Sequence, residues 1–193
     1  KVTINKIAKS SSLTTLDVTA SKSSILKLDD GAIEKFNKLD GVEKTSPSIA
    51  LPGQINLGNT LTDVVISGVD PTYMQMQGIK LSIGDLFTDK IMAEESMPKV
   101  IVSTAVLKLF EIKDYEEIID QTIKLNLFIP DSTGASEELR KETKEFKVTG
   151  VVDDTSAVSY ILIDDLKKLG VNTYNSVKIK AINTDKIPPI KEN

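Results

Sequence analysis

The chain has 193 residues, 40% hydrophobic and 27% charged, with a net charge of −4. This is an ordinary globular composition, long enough for one domain or two small lobes. It contains no cysteine and no histidine, which excludes Cys/His nucleophiles, histidine general bases, Cys/His zinc sites and haem ligation through those side chains.

Arg140 is the single arginine, and the lysines are scattered among acids. The forked donor that reads guanine or clamps phosphate is thus nearly missing, and nucleic acid is not an expected partner. No apolar run approaches the roughly 18–20 residues that cross a bilayer. The sequence begins at Lys1 with neither an initiator methionine nor a signal peptide, so it reads as a segment excised from a longer protein.

In chain order, "SSLTTLDVTAS" (11–21) alternates and predicts a first strand. "DDGAIEKFNKLDG" places Ile33, Phe36 and Leu39 at helical spacing behind Asp29 or Asp30 as N-cap, with Gly41 as the stop. Residues 42–58 alternate again but carry Pro47 and Pro52, which predicts a bent or edge strand. A further strand follows over 61–70 after the Gly58-Asn59 turn. This β-helix-β-β beginning suits an α+β sandwich with helices on one sheet face.

Residues 67–89, "SGVDPTYMQMQGIKLSIGDLFTD", contain Gly68, Pro71, Gly78 and Gly84 as turn punctuation and read as a hinge or lobe connector, with Met74 and Met76 packing into a turn or short helix at the lobe junction. "KVIVSTAVLKLFEI" (99–112) predicts a buried strand running into a helix, with Val106, Leu109 and Phe110 at i, i+3 and i+4. Residues 114–121 form a helical turn or an acidic loop. Strands are expected at 122–129 and 145–154, separated by a long polar loop over 130–144. Residues 159–170 pass from strand to short helix, and 175–185 form a last strand.

Candidate chemistry is sparse. Met74, Met76, Met92 and Met97 offer thioethers that a soft cation such as Cu(I) would accept, but no histidine or cysteine supports them, and methionine commonly fills core gaps. Asp63, Asp70, Asp85 and Asp89 lack the spacing of a calcium loop. The Ser-x-x-Lys pairs Ser24–Lys27 and Ser96–Lys99 lack the partner motifs of that enzyme class. Gly-rich phosphate loops are absent. The sequence therefore assigns no catalytic, cofactor-binding or metal residue, and substrate contacts stay unassigned.

From residue 31 onward the pieces resemble, in order, the MacB-like periplasmic core domain of FtsX/MacB-type ABC transporter permeases. The matching stretches are "LDGVEKTSPSIA", "VVISGVDPTYMQMQGIKLSIGDLFTD", "PKVIVSTAVLKLFEI", "IDQTIKL" and "FKVTGVVDD". Asp85 departs from the arginine usual after that glycine, and Asp120–Gln121 depart from Gly-Lys.

The resemblance implies a two-lobed α+β fold. Residues 1–75 and 156–193 would form a membrane-proximal lobe of βαβ-type units, around a smaller inserted lobe over 76–155. It implies a non-enzymatic domain on the extracytoplasmic side of the cell membrane, without a cofactor, that couples ATP hydrolysis elsewhere to export or extraction of a peptide, lipid, lipoprotein or drug. The implied partners are an ATP-binding subunit or domain, a second permease copy and an adaptor protein; a ligand-sensing role for a cleft between lobes is also open. The alternative is a secreted or surface peptide- or carbohydrate-binding module, or a hydrolase using paired carboxylates.

Overall fold

The computed structural model describes residues 2–6, 15–20, 28–94, 97–131 and 138–182. The elements run β1 (Val2–Lys6), β2 (Thr15–Ala20), α1 (Asp30–Asn37), β3 (Val42–Leu57), β4 (Thr60–Val69), α2 (Pro71–Gln77), β5 (Leu81–Gly84) and α3 (Asp89–Met92). They continue with β6 (Lys99–Ser103), α4 (Thr104–Leu109), a 3-10 turn (Tyr115–Ile118), β7 (Thr122–Pro130), β8 (Leu139–Val152), β9 (Val158–Leu162), α5 (Ile163–Lys167) and β10 (Ser176–Ala181). The fold is α+β, as the sequence predicts. Its described residues group into two compact units, one from Lys1–Ile49, Thr72–Gly78 and Asn172–Asn193, the other from Ala50–Pro71 and Ile79–Val171.

The first unit is an antiparallel sheet in the order β1-β2-β10-β3. Strand alternation gives it one apolar face, carrying the fully buried Leu16, Val18, Val177 and Ile179, and one polar face. Helix α1 starts where the Asp29 carboxylate accepts from the Ala32 amide at 3.0 Å, satisfying an orphan donor of the first turn. Asn37 at its far end accepts from the Thr45 hydroxyl at 2.7 Å, and Tyr174 donates to Asp30.

In the second unit the ladder closes on itself as β3-β4-β9-β6-β8-β7 and back to β3, with β5 added to β8. Pairing is parallel for β4 with β9 and for β6 with β8. Inward residues Leu51, Ile55, Val64, Ile66, Ile123, Leu125, Leu127 and Phe146 are buried. Closure leaves these strands without free edges along the paired stretch.

Several expectations change. Strand β3 runs unbroken through both prolines: Val42–Ser48 pairs with β10 at the end of the first unit's sheet order, as an edge strand would, whereas Gly53–Asn56 pairs with β7 within the closed ladder of the second unit. A proline removes one donor, and the ladder tolerates it where that donor would not bond. Part of the polar stretch 130–144 is strand: the β7–β8 ladder continues to Pro130↔Leu139 and takes in residues 139–144, because backbone pairing needs no apolar side chains, while residues 132–137 lie outside the described part. In α4 the buried apolar residues are Val106 and Leu107, while Leu109 is 53% exposed; six residues are too few for the spacing to decide the face. Strand β1 and the short β5 and α3 give no sequence signal strong enough to find them. The first predicted strand appears as β2, and residues 11–14 and 21 of that prediction lie outside the described part.

Candidate functional site

The densest buried polar cluster of the first unit lies on the polar face of its sheet. Register places Lys178 opposite both Asp17 and Ser46, and Ser176 opposite both Thr19 and Ser48. These residues therefore share one side of three neighbouring strands. Read as sequence, they are the outward half of three alternating strands, yet Lys178 is 2% exposed and Ser46 fully buried.

Tyr73 of α2 supplies part of the cover. The Lys178 ammonium sits 5.2 Å from its ring centroid, within cation–π range, and reaches the Asp17 carboxylate at 2.8 Å. The Ser48 and Ser176 hydroxyls bond at 2.7 Å. Burial first, then the Asp17 charge, raises the Tyr73 hydroxyl above its ordinary range, and a Ser48 hydrogen bond opposes them. The phenol thus stays neutral across physiological pH. Two further residues of α2, Met74 and Met76, are 2% and 7% exposed: they pack within a short helix, as their sequence context predicts.

The second unit holds a separate charge cluster. The parallel register sets Lys99 beside Lys147. Lys99 is 2% exposed and its ammonium has no hydrogen-bond partner; Glu94 stands 3.7 Å away. Lys147 pairs with Asp120 at 3.0 Å and Glu94 at 3.7 Å. The hydrogen bond that Lys147 donates to the Asp120 carboxylate is the chief cause that raises the Lys147 pKa. Asp120 has φ 64°, a left-handed conformation that glycine takes freely and aspartate tolerates, so the departure from Gly-Lys exchanges backbone ease for this ion pair.

Nearby, the fully buried Ser103 is a hub: its hydroxyl donates to the Ser156 carbonyl at 2.7 Å and accepts from the Val106 and Val158 amides, both at 3.3 Å. Arg140 donates to the Leu169 carbonyl at 2.7 Å, tying β8 to the end of α5.

The residues singled out from sequence do not converge. Met92 is 43% exposed, and the Met97 sulfur accepts from the Thr122 hydroxyl at 3.7 Å. Asp63 accepts from Gln54 at 3.0 Å, the Asp85 amide donates to the Thr149 carbonyl at 2.9 Å, and Asp89 opens α3. Ser24, Lys27 and Ser96 lie outside the described residues. Among the described residues, no group of three or more His, Cys, Asp or Glu is placed to hold a metal.

The fold is that of the extracytoplasmic parts of ABC-type transporters. The extracellular domain of the noncanonic ABC-type transporter YknZ from Gram-positive bacteria matches with TM-score 0.67 and 17% identity, over 89% of this chain and 84% of that one. The periplasmic region of MacB from Actinobacillus actinomycetemcomitans matches with TM-score 0.69 and 18% identity, over 93% and 81%. A domain of a putative permease protein from Porphyromonas gingivalis follows at TM-score 0.56 and 13% identity, over 87% and 75%.

The chain belongs to the MacB-like periplasmic core domain family, whose sequence model matches residues 2–193. A macrolide export ATP-binding/permease protein MacB from Bartonella henselae is 33% identical over 86 residues, 45% of this chain and 13% of that protein. The aligned stretch thus spans a small part of its curated relative. The chain is a MacB/FtsX-type extracytoplasmic domain of an ABC transporter permease, a part that is typically non-catalytic.

Proposed function

We propose that this domain transmits force rather than performing chemistry: ATP hydrolysed by a separate cytoplasmic domain or subunit moves it, and it drives export or extraction of a peptide, lipid, lipoprotein or drug outside the membrane. The observation that carries this reading is the family match over residues 2–193. A ladder that closes on itself in one unit supports it, since motion is transmitted only by bodies with discrete packed arrangements.

In this reading the unit carrying both chain ends is the membrane-proximal lobe and the strand-closed unit is the inserted one. A second permease copy, an ATP-binding partner and an adaptor complete the machine. Among the described residues no helix is long and apolar enough to cross a membrane, so anchoring is assigned to other segments of the parent permease.

The absence of cysteine from the chain makes the test simple. Asn59→Cys, on an exposed hairpin turn, placed in the full-length permease in cells, is expected to react with a membrane-impermeant maleimide added outside. A disulfide-forced restraint between two permease copies should then lower transport while leaving basal ATPase activity measurable. Protection of Asn59→Cys from the outside reagent would reject the extracytoplasmic placement. Full transport under restraint would reject the mechanical role.

A further inference from the structure

Helix α2 belongs by its contacts to the first unit, although the strands on either side of it, β4 and β5, belong to the second. The chain thus leaves one compact body for seven residues, Thr72–Gly78, and returns. What holds those residues is unusual. Most helices seat an apolar stripe on an apolar sheet face, whereas α2 sets Tyr73 over the polar face, above the Lys178–Asp17 pair and beside Ser48.

We propose that α2 is a releasable helix, seated on the β2–β10–β3 face by the Lys178–Asp17–Tyr73 cluster and able to undock as a unit while the sheet beneath stays folded. The physical argument is an asymmetry in what release exposes. A sheet face freed of an apolar helix meets water with bare hydrocarbon. This face would present Asp17, Thr19, Ser46, Ser48, Ser176 and Lys178, all of which water can satisfy, so the apolar cost of release is confined to the helix's own buried Met74 and Met76.

Buried ion pairs gain little net free energy over their desolvation cost, and breaking one while it remains buried is expensive. The seat therefore favours two states, docked with the pair intact or undocked with both charges hydrated, over any intermediate. A seven-residue helix has no stability of its own in water, so release and unwinding coincide. The opposite face of the sheet, with Leu16, Val18, Val177 and Ile179 buried, keeps the strands together meanwhile. The proposal deepens the mechanical reading above by naming an element with two discrete arrangements, and it rests on that reading only for its use in transport.

Amide hydrogen exchange on this chain, followed by mass spectrometry across a urea series, tests it without any transport assay. In the wild type, amides of 72–78 should exchange through an opening of low urea dependence while those of β3 and β10 exchange only by global unfolding. Lys178→Met leaves the Asp17 carboxylate, 22% exposed, without its cation in the docked state, and should speed exchange of 72–78 at least about tenfold relative to the sheet. The double variant Asp17→Asn/Lys178→Met removes both charges and should recover most of that protection.

Exchange of 72–78 along the same urea isotherm as the sheet would overturn the proposal from the wild type alone, even should a variant fail to fold. So would a Lys178→Met effect equal in helix and sheet, or a double variant no better protected than the single one. Failure here leaves the extracytoplasmic placement standing, because the maleimide experiment reads that independently.

Discussion

Gly53→Ala forces a methyl into a filled part of the described core. A Cβ there would lie 2.2 Å from Ile66 Cδ1, 2.7 Å from Ile66 Cγ1 and 2.7 Å from the Asn126 carbonyl oxygen. Ile66 is fully buried, so it cannot swing out into solvent. Forcing it off its rotamer costs about 1 kcal/mol, and moving β3 away from β7 at the Gly53↔Leu127 pair weakens about 1 kcal/mol of hydrogen bonding.

With the residual overpacking, the loss is about 3 kcal/mol, equivalent to a melting temperature lower by about 6–12 °C for a chain of this size. The chain has no tryptophan, so urea unfolding is best followed by far-UV circular dichroism. Gly58→Ala is the control: at φ +61° with nothing within 4 Å of an added Cβ, it should lose only the left-handed penalty of about 1 kcal/mol. Ile66→Val deletes the closest clashing atom and should shrink the Gly53→Ala cost by about 1 kcal/mol in a double-mutant cycle. A Gly53→Ala protein within about 0.5 kcal/mol of wild type, a value typical of neutral surface changes, would refute the packing argument.

Lys99→Met should stabilise the fold by about 1 kcal/mol in urea titration, since it removes a buried ammonium without a hydrogen bond and keeps the stem's volume; a loss of that size would show that the Glu94 contact outweighs the desolvation. Ser103→Ala should cost about 2 kcal/mol, because it strips the Ser156 carbonyl and two buried amides of their partner while adding nothing. Asp165→Asn should stabilise at pH 7. Burial raises the Asp165 pKa above its ordinary 3.8, so the native state gains from the proton that the unfolded chain binds less tightly. That gain is fully present below pH 3.8 and is lost as pH rises through the higher folded value. The advantage of the asparagine should therefore shrink on acidification, and a constant advantage between pH 7 and 3 would disprove the linkage.

What could be read from the sequence follows from where the physics is local. The Asp29 cap, the Gly58-Asn59 turn and the run from β6 into α4 are set by neighbours within a few residues, and each appears where its pattern puts it. The packed Met74 and Met76 also follow from local context, a proline-initiated turn with no other ligand type near. The strand over 139–144 was hidden because its exposed charges have no apolar period; its partner β7, further back in the chain, dictates its conformation. The seat of α2 was hidden for a related reason. Asp17, Ser46 and Lys178 alternate as solvent-facing residues do, and only topology brings the three strands side by side beneath Tyr73. The alternation of polar residues at matching positions in three separate strands was the one available signal, and it has meaning only once the strand order is known.

Strand β3 spends its first eight residues, Val42–Ile49, in one compact unit and its last eight, Ala50–Leu57, in the other. For anyone dissecting the permease this sets a practical limit. A cut at the unit boundary severs a strand in mid-ladder and leaves two raw ends prone to stick to other chains. Deleting the strand-closed unit also means rejoining the chain around α2, which lies between two crossings rather than beyond them. Subcloned halves are therefore poor reagents, and chimaeras that exchange the middle of this domain between relatives should keep β3 whole and carry α2 with the parent that supplies Lys178.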